Sequence, residues 1–278
     1  MDIVQATSSR DVSHSMDAER ASRRAFFGML ALLFALSTSA TIACCASMSA
    51  MGEIPMPGGW AMSMTWLPMC GQAWPSAAAS FLGMWVVMML AMMLPSLTPA
   101  LWRYRQAVGR VVGSRRGLLT ALVGLGYFAV WTVFGVSAYT LGATLAAIEM
   151  RLSALARVVP IAVGLVVLIA GTLQFTPWKA RLLACCRRVP GHGSTLRADA
   201  RTAWRHGLRL GMHCCYGCAG FTAILLVLGA MDLRVMAVVT AAITLERVAP
   251  AGERIARAIG AVTVGFGVIV IGQAGGLA

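Results

Sequence analysis

Charge is scarce in this chain, and acidic charge most of all. Only 12% of the 278 residues are Asp, Glu, Lys or Arg, against about 25% in an ordinary soluble domain. Ten acidic residues stand against 23 Lys and Arg. So little charge excludes a conventional water-soluble surface, and no soluble domain or convincing internal repeat can be marked off. Enzymatic constellations are missing as well. There is no glycine-rich phosphate loop of the Walker type, no Ser/His/Asp arrangement and no His-Glu-x-x-His pair. The four histidines, His14, His192, His206 and His213, are scattered. The chain is therefore not expected to be an enzyme. A carboxylate proton relay is poorly supported too, because Glu246 is the one acidic side chain that falls within an apolar run.

What is present is apolar. Hydrophobic residues make up 59% of the sequence and mean hydropathy is +0.77. Only helices and closed barrels span a bilayer, and runs near 20 residues select helices. The sequence predicts an all-α polytopic helix bundle of about seven transmembrane spans, at 26–47, 77–101, within 118–148, 158–176, 210–231, 235–249 and 258–274. A polar cytoplasmic tail, 1–25, precedes a single membrane domain, 26–278. Ser22-Arg23-Arg24-Ala25-Phe26-Phe27 is similar to a twin-arginine signal, but no small-x-small cleavage site follows, so the first run is read as a retained span.

The net charge of +13 does not call for nucleic acid, because the basic residues lie between apolar runs. With the N-terminus inside, 20 of the 23 basic residues fall on the cytoplasmic side, leaving Arg151, Arg157 and Arg234 outside. That asymmetry orients the chain in a bacterial inner membrane, N-terminus in the cytoplasm and C-terminus out. Five of the eight cysteines then face the reducing side, which excludes a secreted disulfide framework.

The sequence Gly211-Met212-His213-Cys214-Cys215-Tyr216-Gly217-Cys218 opens the fifth span. On a helix each residue advances about 100°, so Cys215 lies about 100° and Cys218 about 40° from Cys214. The three thiols share one broad face and His213 points elsewhere. A thiol is a small apolar filler in many helices, but packing does not require three in five positions. Topology places further soft or acidic groups at the same depth: Met92 and Met93 in the second span, Cys185 and Cys186 after the fourth, and Glu246 at the end of the sixth. The arginines around Cys185-Cys186 favour thiolates. Pro95, following Met92-Met93-Leu94, removes a backbone donor and is expected to kink the second span.

Methionine has two readings. Met84, Met88 and Met92 repeat every four residues, as core filler or as a thioether lining suited to Cu(I). The loop at 48–76, with Met48, Met51, Met56, Met62, Met64, Met69 and Cys70, fits copper collection or packing at the interface. Cys44-Cys45 reads as apolar filler, since Thr41 is a poor residue for a lipoprotein site.

Met84-Trp85-Val86-Val87-Met88-Met89-Leu90-Ala91-Met92-Met93-Leu94-Pro95-Ser96, with Pro99, resembles the signature of a bacterial family described as predicted metal-binding integral membrane proteins, a domain of unknown function. Gln174, Pro177 and Lys179 follow in order, then Cys186, Arg187 and Pro190, then Cys215-Tyr216-Gly217-Cys218. Gly229, Met231, Met236 and Glu246 complete the series. Two features depart from the family. Ala219 and Gly220 stand where it has a second Cys and a Trp, and Leu182 stands where it has an earlier Cys. The resemblance implies a metal-binding membrane protein.

The expectation is a cytoplasmic-side site for copper (Cu+), with zinc as second choice. Cys214, Cys215 and Cys218 are its core ligands, Cys185 and Cys186 its acceptors or co-ligands, and Met92, Met93 and Glu246 its contributions from other spans. The role is metal transport, delivery or metalloprotein assembly. The partners are the bilayer, the metal ion and a metallochaperone or membrane complex. A membrane thiol–disulfide exchanger using Cys215 and Cys218, or a structural subunit with incidental thiols, are the other classes.

Overall fold

The computed structural model describes residues 2–49, 53–56, 60–63, 66, 73–108, 114–187, 199–229 and 232–276. Eight helices occur in them: α1 (Asp2–Ser49), α2 (Trp74–Ala107), α3 (Ser114–Glu149), α4 (Ser153–Leu173), α5 (Pro177–Arg187), α6 (Ala200–Leu228), α7 (Leu233–Val248) and α8 (Gly252–Ala274). A short hairpin, β1 (Glu53–Met56) and β2 (Trp60–Ser63), lies between α1 and α2 and pairs Glu53 with Ser63. The architecture is thus an all-α bundle with one small hairpin. The Trp60 indole donates to the Ala156 carbonyl at 2.8 Å, tying the hairpin to the start of α4.

Six helices are long and apolar enough to cross a membrane: Glu19–Met48, Trp74–Ala107, Arg115–Glu149, Ala154–Leu173, Ala200–Leu228 and Gly252–Ala274. The sixth expected span, 235–249, is shorter than the rest. Asp232 caps the first amides of α7, accepting from Arg234 N and Val235 N, and the helix stops at Ala249, held extended before Pro250. Its 16 residues cover about 24 Å, less than the roughly 30 Å of a hydrocarbon core.

Local sequence sets three other boundaries. α1 starts at Asp2 and runs through the polar residues before 26, as no Gly or Pro interrupts the chain between Asp2 and Phe27. α6 begins ten residues before its apolar run because Asp199 accepts from Thr202 N and caps the helix there. Residues 177–187, between the fourth and fifth expected spans, form α5 with Pro at its first position. α2 continues through Pro95 and Pro99 without a break.

Close contacts give the helix directions. Phe26 packs on Trp102 and Ser22 accepts from Arg105, so α1 and α2 are antiparallel. Trp85 donates to the Trp131 carbonyl while Phe81 meets Tyr139, so α2 and α3 are antiparallel. Gly207 abuts Val123 and Gly211 abuts Tyr127, so α3 and α6 run the same way. Gly164 faces Gly267 and Ile271 while Gly171 faces Gly260 and Val264, an antiparallel small-residue seam between α4 and α8. The chain therefore alternates, and the described termini lie at opposite ends of the bundle. The end that holds the start of α1 also holds nearly all the described basic residues. Large apolar side chains face outward along the helices, including Val133 and Val262 at 68% and 75% exposure, as lipid would require.

Candidate metal centre

The site is built on the middle of α6. Cys214 and Cys218 are one helical turn apart and face inward, 0% and 2% exposed, with sulfurs 4.0 Å apart. Met93 of α2 is also fully buried, and its Sδ lies 3.9 Å from Cys214 Sγ. Three sulfurs bound in a plane at about 2.3 Å from one ion would stand about 4.0 Å from each other. The Cys214–Cys218 and Cys214–Met93 separations are close to that length. The thiols lie about four turns into α6 rather than in its first turns, because the helix already starts at the Asp199 cap.

Polar groups from three other helices surround the sulfurs. The Tyr127 hydroxyl of α3 donates to Cys214 Sγ at 2.7 Å. Arg247, at the end of α7, donates from Nη2 to Cys218 Sγ and to the Cys214 carbonyl, each at 3.3 Å. Lys179 of α5 donates to the Gly217 carbonyl at 2.7 Å, pairs with Glu246 at 2.8 Å and sits 5.0 Å from the Phe221 ring centroid. Lys179 and Glu246 are both almost wholly buried. Charged hydrogen bonds of this kind are strong where water is excluded.

The expected residues divide accordingly. Cys214, Cys218 and Met93 come together. Met92 is buried on an adjacent face of α2, within the apolar core. Cys215 is half-buried one step around α6, and His213 is exposed, as its helical angle requires. Among the described residues no three His, Cys, Asp or Glu side chains converge, and the sulfurs that meet are those of Cys214, Cys218 and Met93. Glu246 arrives at the expected level, with its carboxylate engaged by Lys179. The side chains of Cys185 and Cys186, and the loop positions Met51, Met64, Met69 and Cys70, lie outside the described residues.

Tyr127, Arg247 and Lys179 were not expected as parts of the site. Lys179 had a usable signal, as the single lysine of a chain whose other basic residues are all arginine. Tyr127 had none, since a tyrosine in an apolar run is ordinary.

Fold and site together define a class: an all-helical chain, with six helices long and apolar enough to cross a membrane, packed around buried sulfur side chains. Residues 82–270 match the family described as PpoB2, copper chaperone, and the chain belongs to that family. The match contains every residue of the seat, from Met93 to Arg247. No curated protein and no solved structure matches the chain.

Proposed function

We propose that the chain is an integral membrane copper chaperone that carries one Cu(I) between Cys214, Cys218 and Met93 and hands it on for metalloprotein assembly. The observation that carries this reading is the sulfur triangle, two thiols and a thioether at edges of 4.0 and 3.9 Å. Thiolate and thioether are the donors that Cu(I) prefers.

Charge favours Cu(I) over zinc. Two thiolates and Glu246 oppose Arg247 and Lys179, which leaves one negative charge beside the ion. A monovalent cation cancels it, whereas Zn2+ would leave buried positive charge, which is costly in a low dielectric. Thiol–disulfide exchange through Cys215 and Cys218 is disfavoured because Cys218 is buried and turned toward Cys214, while Cys215 lies half-buried one step around α6. Cys215, and Cys185-Cys186 at the end of α5, are assigned to transfer rather than to holding the ion. The Met-Met-x-Ala-Met-Met-x-Pro-Ser element belongs to the seat through Met93. The basic end of the bundle is placed in the cytoplasm, in a bacterial inner membrane. Beyond lipid and metal, the partner is a metalloprotein or its assembly complex, and no catalytic role is assigned.

The test is copper per protein by elemental analysis, after purification in mild detergent under reducing conditions. Wild type should carry close to one equivalent. Cys218→Ser replaces a soft donor by a hard one of similar size and should lose most of it. His213→Ala should retain it. Equal copper in wild type and the Cys218 variant rejects the site.

A further inference from the structure

A cavity of about 360 Å³ opens where the junction of α4 and α5 meets the first turns of α8. It shares Lys179 with the surroundings of the seat, and none of the three sulfurs lines it. α4 ends at Gln174, its C-cap, which is only 6% exposed. A Cβ added at Gly260 of α8 would come within 2.8 Å of the Gln174 Cβ, so α8 holds this side chain in the cavity wall. Gln174 Oε1 is buried and has no hydrogen-bond partner among the described residues. Buried acceptors are nearly always bonded, so this one calls for a donor that the fold does not supply. The charges of the lining cancel down to one. Lys179 pairs with Glu246 and Arg257 pairs with Glu253, each at 2.8 Å. Arg181 is exposed and has no acidic partner among the described residues. The rim is apolar. Phe175 lines the cavity, and it is exposed, as are Ile169 and Leu173 before it and Trp178 after it. Aromatic side chains at the ends of membrane-crossing helices mark the level of the lipid head groups. A polar floor under a lipid-facing rim fits an amphiphile better than a free anion.

Resting on the membrane reading above, we infer that this cavity binds the head group of a singly charged glycerophospholipid bearing free hydroxyls, of the phosphatidylglycerol kind, from the leaflet at the basic end of the bundle. The phosphodiester pairs with Arg181, and its one negative charge balances the one left over in the lining. A head-group hydroxyl donates to Gln174 Oε1 and satisfies the buried acceptor. The acyl chains leave past Phe175 and lie on the outward apolar side chains of α4. A zwitterionic head group brings no net negative charge, so it leaves that of Arg181 unbalanced. An anionic head group without a hydroxyl balances the charge but leaves Gln174 without a donor. The two residues therefore read different parts of the same head group.

The experiment is native mass spectrometry of the full chain in mild non-ionic detergent, titrated with single lipids of identical acyl chains. The lipids are phosphatidylglycerol, phosphatidylmethanol (the same charge without a hydroxyl), phosphatidylcholine and phosphatidylethanolamine. Glycerol 3-phosphate, a phosphate ester without acyl chains, is the soluble competitor. Wild type should take up one phosphatidylglycerol at a saturable site, at least about fivefold tighter than phosphatidylcholine. It should hold phosphatidylglycerol roughly two- to tenfold tighter than phosphatidylmethanol, the worth of one hydrogen bond. Glycerol 3-phosphate should not displace the lipid. Gln174→Leu keeps the Cβ against Gly260 and removes the acceptor, so it should bind phosphatidylglycerol and phosphatidylmethanol equally. Arg181→Gln should weaken both anionic lipids about fivefold and leave phosphatidylcholine unchanged. Arg181 is exposed, so this variant decides the matter should Gln174→Leu fail to fold. Equal binding of all four lipids to wild type overturns the site. So do tighter binding of phosphatidylethanolamine than of phosphatidylglycerol, displacement by glycerol 3-phosphate, and wild-type affinities in both variants. Recovery of the chain in the soluble fraction without detergent is a separate result and overturns the membrane reading itself.

Discussion

Tyr127 donates its hydroxyl to the sulfur of Cys214 across 2.7 Å, joining α3 to α6 at the seat. A hydroxyl donor favours the charged form of sulfur and holds the ligand's rotamer. Outer-shell partners of this kind are typically worth about 10 to 100-fold in metal affinity. Tyr127→Phe keeps the ring and removes the donor. It should weaken Cu(I) affinity within that range, read by competition with a coloured Cu(I) chelator. Stoichiometry at saturating copper should stay that of wild type. An unchanged affinity would mean that the hydroxyl only fills space.

The buried pair of Lys179 and Glu246 bridges α5 to α7, and Lys179 also reaches the Gly217 carbonyl of α6. Removing one member of such a pair leaves a buried charge without its counter-ion, at a cost of about 3–5 kcal/mol, while replacing both with apolar residues costs far less. Glu246→Gln and Lys179→Met should each destabilise strongly, and Lys179→Met/Glu246→Leu should recover most of the loss. Unfolding in mixed micelles measures the cycle. Additive losses would show that the two side chains act independently. Copper retention in the double variant should stay near that of wild type, because loss of one positive and one negative charge leaves the net charge of the seat unchanged.

Most of the bundle was legible because its pattern is one-dimensional. Apolar runs near 20 residues mark helices, and the positions of Arg103, Arg115, Arg201 and Arg209 mark their basic ends. What remained hidden depends on single caps and on facing helices. Asp199 starts α6 early, and Pro250 with Asp232 shortens α7. The face of α6 that carries Cys214 and Cys218 was readable from a period of four, but the inward direction was set by Gly207 and Gly211 pressing on α3. Met93 rather than Met92 joins the thiols for the same reason: the angle of α2 in the bundle decides which of two adjacent methionines points at α6. Glu246 was readable as a buried acid, but its partner lies 67 positions away on a helix that sequence periodicity did not reveal.

The close approach of α3 and α6 yields a direct test. A Cβ at Gly207 would run into the Val123 carbonyl oxygen, a backbone atom that cannot swing away. Gly207→Ala should push α6 off α3, lengthen the contact of Tyr127 with Cys214 and cost about 1–3 kcal/mol, the usual scale of overpacking. Gly124, one position beyond Val123, has open space around its Cα. Gly124→Ala should therefore be neutral or stabilising by up to about 1 kcal/mol, since glycine is a poor helix former. Thermal unfolding in detergent separates the two, and equal effects would reject the seam as the cause.

Alternation of the helices places the start of α1 and the end of α8 at opposite ends of the bundle. With the basic end in the cytoplasm, a reporter active only there should be active when fused after Arg116 and silent when fused after Ala278. The reverse pattern would invert the molecule and put its basic end on the outer face.

Protons and copper compete for Cys214 and Cys218, and the competition counts the thiolates. Wherever both cysteines are thiols in the metal-free seat, binding releases two protons, so affinity rises about a hundredfold for each pH unit gained and falls as steeply as pH drops. Cys218→Ser leaves one thiolate, and its dependence should fall to about tenfold per unit. The Met93 thioether binds no proton, so Met93→Leu should weaken copper at every pH without changing the slope. Competition titrations between about pH 5.5 and 8, with the chelator's own protonation taken into account, measure all three lines. A flat line for wild type would mean that binding releases no proton, so that the two sulfurs are thiolates already in the metal-free seat or do not bind the ion. A Met93 variant that matches wild type in affinity as well as slope would reduce the seat to a two-coordinate pair of cysteines, and the 3.9 Å approach of Met93 to Cys214 would then be packing alone.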